Sequence, residues 1–134
     1  MSRINRIPLA IALAAVPLGI LVHLWLRPHA AAGGLPLRLL DVAPNFIAAV
    51  CAPFLVVVRP TRTPIEAARA FTLAALATVA ALIVVEVACA FVGIARFDPL
   101  DIVASVAGML LAAGLYRAIA PGMRYTRTGS EGPP

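Results

Sequence analysis

The sequence predicts an all-α integral membrane protein, a bundle of four transmembrane helices with both termini in the cytoplasm. The composition is the first observation behind this prediction. Of the 134 residues, 62% are hydrophobic and 13% are charged, and the mean hydropathy is +0.97. Soluble domains are about 45–50% apolar and about 25% charged, so a soluble globular enzyme is excluded. Since about 20 apolar residues cross a bilayer, this chain has enough apolar sequence for about four spans.

The second observation is the division of the chain into long apolar runs. The predicted spans cover about residues 7–26, 39–58, 70–95 and 100–120, which together form one transmembrane domain at 1–124. Pro17 and Pro53 lie inside two of these runs, and membrane helices tolerate such prolines. The tail at 125–134 is polar and is predicted to be a disordered cytoplasmic segment.

Two capping patterns mark where helices begin. Thr63-Pro64-Ile65-Glu66 has a cap hydroxyl, a proline at the first helical position and a glutamate three residues after the cap. Asp98-Pro99 repeats the pattern before the fourth span. Both patterns indicate helix starts and say nothing about function.

The third observation is the distribution of eleven arginines, in a chain with no lysine and with six acidic residues. Eight arginines fall at the termini or between the second and third spans: Arg3, Arg6, Arg59, Arg62, Arg69, Arg117, Arg124 and Arg127. Three fall on the other side: Arg27, Arg38 and Arg96. This asymmetry predicts that the chain is a multi-pass protein of the cell membrane and that its termini are cytoplasmic. The net charge of +5 is therefore interpreted as a topology signal, with the lipid bilayer and not nucleic acid as partner.

A secretory signal peptide is the alternative for the first span. Arg3 and Arg6 precede an apolar run, and Ala30-Ala31-Ala32 resembles a small-residue cleavage site. The run of about 20 residues is longer than the usual apolar region of about 7–15 residues, which favours a retained span.

Polar residues converge on the predicted outer half of the bundle. Asp41 and Asn45 share a face of the second span, and Asp101 and Ser105 share a face of the fourth. Glu86 lies roughly 13 Å below the outer end of the third span. Ionisable groups within spans are costly to place and are candidates for function. Together with Arg96, these residues form the predicted ligand-binding site.

Helical spacing also predicts how the third and fourth spans pack. Glu86, Ala90 and Gly93 form one stripe, and Ala104, Gly108 and Ala112 form a row of small residues that allows a close helix approach. We expect the two spans to meet along these stripes, with Glu86 facing inward.

Several of the polar residues also have simpler interpretations. Asp41, Asp98 and Asp101 could serve only as helix caps or first-turn acids. His23 is expected at the membrane interface, while Arg27 and Arg38 are expected to contact lipid headgroups. Cys51 and Cys89 are expected to be small apolar fillers. For Glu86, a structural pairing with Arg96 or His23 is an alternative to a ligand.

Glu86, Arg96-Phe97-Asp98 and the later Asp101, Ser105 and Gly108 resemble the signature of VanZ-like membrane proteins. Asp41 and Asn45 are similar to an earlier part of that signature, so the resemblance covers roughly residues 39–115. The chain departs from it at Cys89, where the family commonly has Gln, at Ser105 in place of Asn, and at Ala112 in place of Gly. The resemblance implies a role in the bacterial cell envelope and in low-level resistance to glycopeptides such as teicoplanin.

Three functions follow as hypotheses. The first is an envelope-associated membrane protein that binds a lipid-linked or cationic molecule at its outer pocket. The second is a small proton-coupled transporter, working as a homodimer, in which Glu86 exchanges a proton for a cation. The third is a partner subunit whose small-residue stripes dock on another membrane protein. No catalytic, metal-binding or phosphate-binding motif is recognised, so neither an enzymatic activity nor a cofactor is predicted.

Overall fold

The computed structural model of the chain describes residues 4–29, 37–94 and 96–125, apart from the side chains of residues 37 and 38. In this part of the chain the regular structure is helical, and four helices are long and apolar enough to cross a membrane. The all-α class and the four spans are thus confirmed. The helices are α1 (Arg6–Ile20, continued by a π-helical stretch Leu21–Leu26), α2 (Leu37–Cys51, continued by a 3₁₀ stretch Ala52–Val57), α3 (Pro64–Phe91) and α4 (Pro99–Ile119, continued by a 3₁₀ turn Ala120–Gly122).

The capping patterns lie at the helix starts, as predicted. The Thr63 hydroxyl accepts a hydrogen bond from the Glu66 amide at 3.1 Å, and the Asp98 carboxylate accepts one from the Leu100 amide at 2.9 Å. The Glu66 carboxylate accepts from the amide of Arg62, the residue before the cap, at 3.0 Å. Helix α3 begins directly after its cap, at Pro64, six residues before the apolar run that was predicted as the third span from about residue 70.

The third helix also ends earlier than predicted. Gly93 has a φ of +74°, a conformation that favours glycine, and its amide donates to the Ala90 carbonyl. The Ile94 amide donates to the Cys89 carbonyl, which completes a Schellman motif. The helix therefore stops at Phe91 instead of residue 95. Gly93 belongs to the turn, so its predicted place in a packing stripe on α3 is wrong.

Hydrogen bonds of Asn5 bring the beginning and the end of the described chain together. The Asn5 side-chain amide donates to the Val57 carbonyl at 3.0 Å, and its oxygen accepts from the Arg124 amide at 3.0 Å. The Asn5 backbone amide donates to the Val58 carbonyl at 2.8 Å. We call this end of the bundle the termini end, and we call the opposite end, where α1 and α3 finish and α2 and α4 begin, the loop end.

The most tightly packed apolar contacts lie in the half of the bundle nearer the termini end. Phe54 and Phe71 meet edge to face with ring centroids 5.1 Å apart, and Phe71 stacks on Tyr116 at 4.3 Å. All three side chains are buried, whereas every helix also carries exposed large apolar residues, as expected for surfaces that face lipid. This cluster joins the end of α2 to α3 and α4.

The most extensive contact between helices is that of α2 with α4. A Cβ added to Gly108 would lie 2.7 Å from the Phe46 carbonyl oxygen and 2.9 Å from the Ala49 Cβ. Ala104, Gly108 and Ala112 are all buried. The prediction that this row packs on the third span is therefore wrong at Gly108, where the neighbour is α2. Spacing within a helix identifies a packing face but does not identify the helix that covers it.

Some sequence predictions fall outside the described residues. These are the cleavage site at 30–32, the side chain of Arg38 and the tail beyond Tyr125. The two cysteines within the described ranges are free, and Cys51 is buried while Cys89 is half-buried.

We expect Gly108→Ala to destabilise the bundle by about 1–3 kcal/mol, because the added methyl group forces α2 and α4 apart. Gly114→Ala is the matched control, since a Cβ there meets nothing within 4 Å and the change favours helix. Thermal unfolding of both purified variants in detergent measures the difference. Equal stability of the two variants would show that the α2–α4 contact is looser than described.

Asn5→Ala is expected to lower the free energy of unfolding by about 1–3 kcal/mol, because the Val57 carbonyl and the Arg124 amide then lose the side chain to which they are hydrogen-bonded. Asn5→Asp retains the acceptor for the Arg124 amide and removes the donor to Val57, so we expect a loss as well. The unfolding midpoint of each variant in detergent, compared with the wild type, is the measurement. A wild-type midpoint for Asn5→Ala would contradict this role.

Candidate functional site

Three carboxyl groups lie near one another at the loop end, where α3 and α4 are joined. The Glu86 carboxylate, on α3, accepts a hydrogen bond from the backbone amide of Asp98 at 3.0 Å. Asp98 caps α4 and Asp101 lies in its first turn. All three residues are half-buried, so Glu86 faces the start of α4 rather than projecting fully outward.

Asp101 is at the centre of this acidic group. The side chains of Glu86 and Asn45 approach its carboxyl group closely enough to interact with it. Its Oδ1 atom is buried and accepts no hydrogen bond from any described residue. A buried polar atom without a partner costs about 1–3 kcal/mol, so this oxygen is a place where a donor from a bound molecule would be stabilised.

The close approach of α2 to α4 explains why Asn45 reaches Asp101. Asn45 immediately precedes Phe46, whose carbonyl oxygen faces Gly108. Asn45 is half-buried, which agrees with a position between the two helices. The structure therefore brings Asn45 of α2 toward Asp101 of α4, whereas the sequence placed the two residues only in one predicted binding site.

Asp41 lies one turn before Asn45 and is bound to a basic residue of another helix. Arg27 Nη2 lies 2.5 Å from Asp41 Oδ1, and the two side chains are 38% and 54% exposed. Arg27 also lies 3.4 Å from His23 Nδ1. The sequence predicted a headgroup contact for Arg27 and did not predict this ion pair within the protein. His23 is directed toward Arg27 and does not pair with Glu86.

Ser105 and Arg96 do not have the places that the sequence suggested. The buried Ser105 hydroxyl donates to the backbone carbonyl of Asp101 at 2.8 Å, so its proton is used within α4. Arg96 is exposed and forms no ion pair with any residue that the structure describes. The structure thus brings Asn45, Glu86 and Asp101 together, adds Asp98, and leaves Arg96 at the surface.

Two contacts of this region were missed by sequence reasoning. The first is the Arg27–Asp41 ion pair. The sequence indicated only that the two residues lie on the same side of the membrane. The second is the bond from the Asp98 amide to Glu86, because backbone donors have no signature in the sequence. Both depend on where neighbouring helices lie.

Chemically, this arrangement can bind a positively charged organic group or a hydrogen-bond donor, whereas the described residues include no set of three carboxylate, histidine or cysteine side chains placed to hold a metal ion. Glu86, Asp98 and Asp101 have no basic partner in the described part of the chain, since the ion pair formed there is Arg27–Asp41. Carboxylates in an environment of low dielectric interact strongly with a positive group that replaces water. We call Asn45, Glu86, Asp98 and Asp101 the acidic site.

Comparisons with protein-family models, with curated proteins and with solved structures find no match to this chain. The class of this protein is therefore defined by its own fold and residues. The fold and the site define a four-helix membrane bundle with an acidic site at one end.

The Arg27–Asp41 pair is expected to couple the two residues by about 1 kcal/mol or less, because both side chains are partly exposed. A double-mutant cycle with Arg27→Gln and Asp41→Asn, measured by unfolding in detergent at low salt, gives this energy. Arg62→Gln combined with Asp41→Asn is the control, and its effects should simply add. Additive effects for Arg27 and Asp41 as well would mean that the ion pair contributes nothing.

Proposed function

We propose that the chain is a VanZ-like protein of the bacterial cell envelope whose acidic site binds a cationic group of an envelope component or of a glycopeptide antibiotic. The observation that carries the proposal is the buried Asp101 Oδ1, which has no hydrogen-bond donor among the described residues, beside carboxyl groups that have no basic partner there. The resemblance in sequence includes all four members of this site, Asn45, Glu86, Asp98 and Asp101.

Without a ligand, the acidic site is energetically costly to place in a membrane. Ionisable groups within a membrane are expensive, and they persist where they pair with one another, face water or bind something. A positively charged donor at Asp101 Oδ1 would satisfy the buried oxygen and would also interact favourably with Glu86 and Asp98. The Asn45 amide supplies a polar group from the facing helix, which would help to orient the ligand.

The proposed topology places this site on the outer side of the cytoplasmic membrane. The start of α1 and the segment that follows α4 are joined through Asn5 and Arg124, so the two ends of the described chain lie on the same side of the bundle. The arginine distribution favours the cytoplasm for that side. The acidic site at the opposite end would then face the cell wall, where glycopeptides act.

A role as a partner subunit is less well supported. That hypothesis used the small-residue row of the fourth span as a docking surface. The row is buried within the chain, and Gly108 is covered by α2. A surface that is already filled inside the protein is not available to another membrane protein.

The test replaces acids by their neutral isosteres in a bacterium that produces the protein. Wild-type production is expected to lower susceptibility to teicoplanin, and Glu86→Gln and Asp101→Asn are each expected to abolish most of this effect, because each removes a charge from the acidic site. Susceptibility and the amount of protein in the membrane are measured together.

Glu66→Gln is the matched control for these variants. It removes the same charge at the termini end, and glutamine preserves the capping role of this position. Its effect on susceptibility should be small. If both acidic-site variants accumulate normally and susceptibility equals that of the wild type, the acidic site has no part in resistance and the proposal is overturned.

A further inference from the structure

A polar cavity lies at the termini end, remote from the acidic site. The first turn of α1 and the segment that follows α4 enclose about 300 Å³. Its lining includes Asn5, Arg6, Ile119, Gly122 and Arg124. Arg6 and Arg124 are the charged residues in this lining, and both are exposed.

The two arginines have no acidic partner in the part of the chain that the structure describes. Asn5, which is 7% exposed, uses its side chain to bind the Val57 carbonyl and the Arg124 amide. It consequently does not cap α1 with that side chain. These hydrogen bonds connect the two walls of the cavity through the backbone of Arg124. The guanidinium groups of Arg6 and Arg124 therefore remain available to bind a ligand.

The position of the cavity along the helices indicates the environment of its ligand. Arg6 is the first residue of the first candidate span and Gly122 is the last residue of the fourth. The cavity therefore lies at the depth where lipid headgroups meet the hydrocarbon region. Ile4 and Ile7 also line it and are 48% and 58% exposed, so an apolar border adjoins the arginines.

We propose that this cavity binds the phosphate of an anionic phospholipid headgroup. Arginine presents a planar fork of donors that matches phosphate oxygens, and basic pockets between membrane helices favour anionic lipids on the cytoplasmic side. The lining of this cavity contains two arginines and no carboxylate, which gives the charge complementarity. The exposed isoleucines beside them contact the first part of an acyl chain.

The experiment uses the full chain purified in a neutral detergent. Dioctanoyl phosphatidylglycerol, dioctanoyl phosphatidylcholine and inorganic phosphate are added at equal concentrations, and the unfolding midpoint is measured. We expect phosphatidylglycerol to raise the midpoint more than either of the other two additions. Arg6→Gln and Arg124→Gln are each expected to weaken phosphatidylglycerol binding roughly fivefold, measured by titration or native mass spectrometry.

Two further variants control for charge and for geometry. Arg62→Gln removes an exposed arginine near the start of α3, outside this lining, and should leave binding unchanged. Arg6→Lys combined with Arg124→Lys retains both charges and loses the planar forks, so partial binding is expected. The Gln substitutions alter only side chains, so the bond from the Arg124 amide to Asn5 is preserved.

Three outcomes would overturn the proposal. Equal binding by the wild type and by the Arg6→Gln/Arg124→Gln double variant would show that the cavity is not the site. Equal weakening by Arg62→Gln would show that only net charge matters. Protection by inorganic phosphate as strong as that by phosphatidylglycerol would show an anion site without a lipid. Each result is independent of the acidic site, which lies at the loop end.

Discussion

The structure depends on the close approach of α2 to α4 at Gly108. Apolar side chains gain little by leaving lipid for a helix interface, so membrane helices associate through close packing and polar contacts. Gly108 permits both, because the absence of a side chain lets the Phe46 carbonyl and Ala49 approach the α4 backbone. The same approach brings Asn45 toward Asp101. The position of Asn45 in the acidic site therefore depends on one residue that takes no part in the chemistry of the site.

The two ends of the bundle differ in how their polar groups are satisfied. At the termini end, the Asn5 side chain uses both its hydrogen-bond donor and its acceptor. The aromatic rings of Phe54, Phe71 and Tyr116 pack together in the same half of the bundle. At the loop end, a carboxyl oxygen of Asp101 is buried without a partner in the described chain. Complete hydrogen bonding stabilises a fold, whereas an unsatisfied buried group is typical of a position that binds something. Stability and proposed function are thus located at opposite ends.

The acidic residues of the candidate site could be predicted from the sequence, because ionisable groups inside apolar runs are few and stand out. Their partners could not be predicted in the same way. A pairing with Arg96 or His23 was one alternative for Glu86, and its carboxylate accepts a hydrogen bond from the Asp98 amide. Arg27 was assigned to lipid headgroups and is bound to Asp41. Both partners depend on the placement of neighbouring segments, and spacing along a single helix carries no information about that placement.

The sequence by itself determined the all-α class, the four spans and the helix starts at Pro64 and Pro99, since these follow from local hydropathy and from capping residues within a few positions of each boundary. Only the tertiary structure decided that the small-residue row of α4 packs on α2 and that Asn5 joins the two ends of the described chain. The physical reason is that hydropathy and capping are properties of one segment. A close contact or a long-range hydrogen bond exists only after two segments have been brought together.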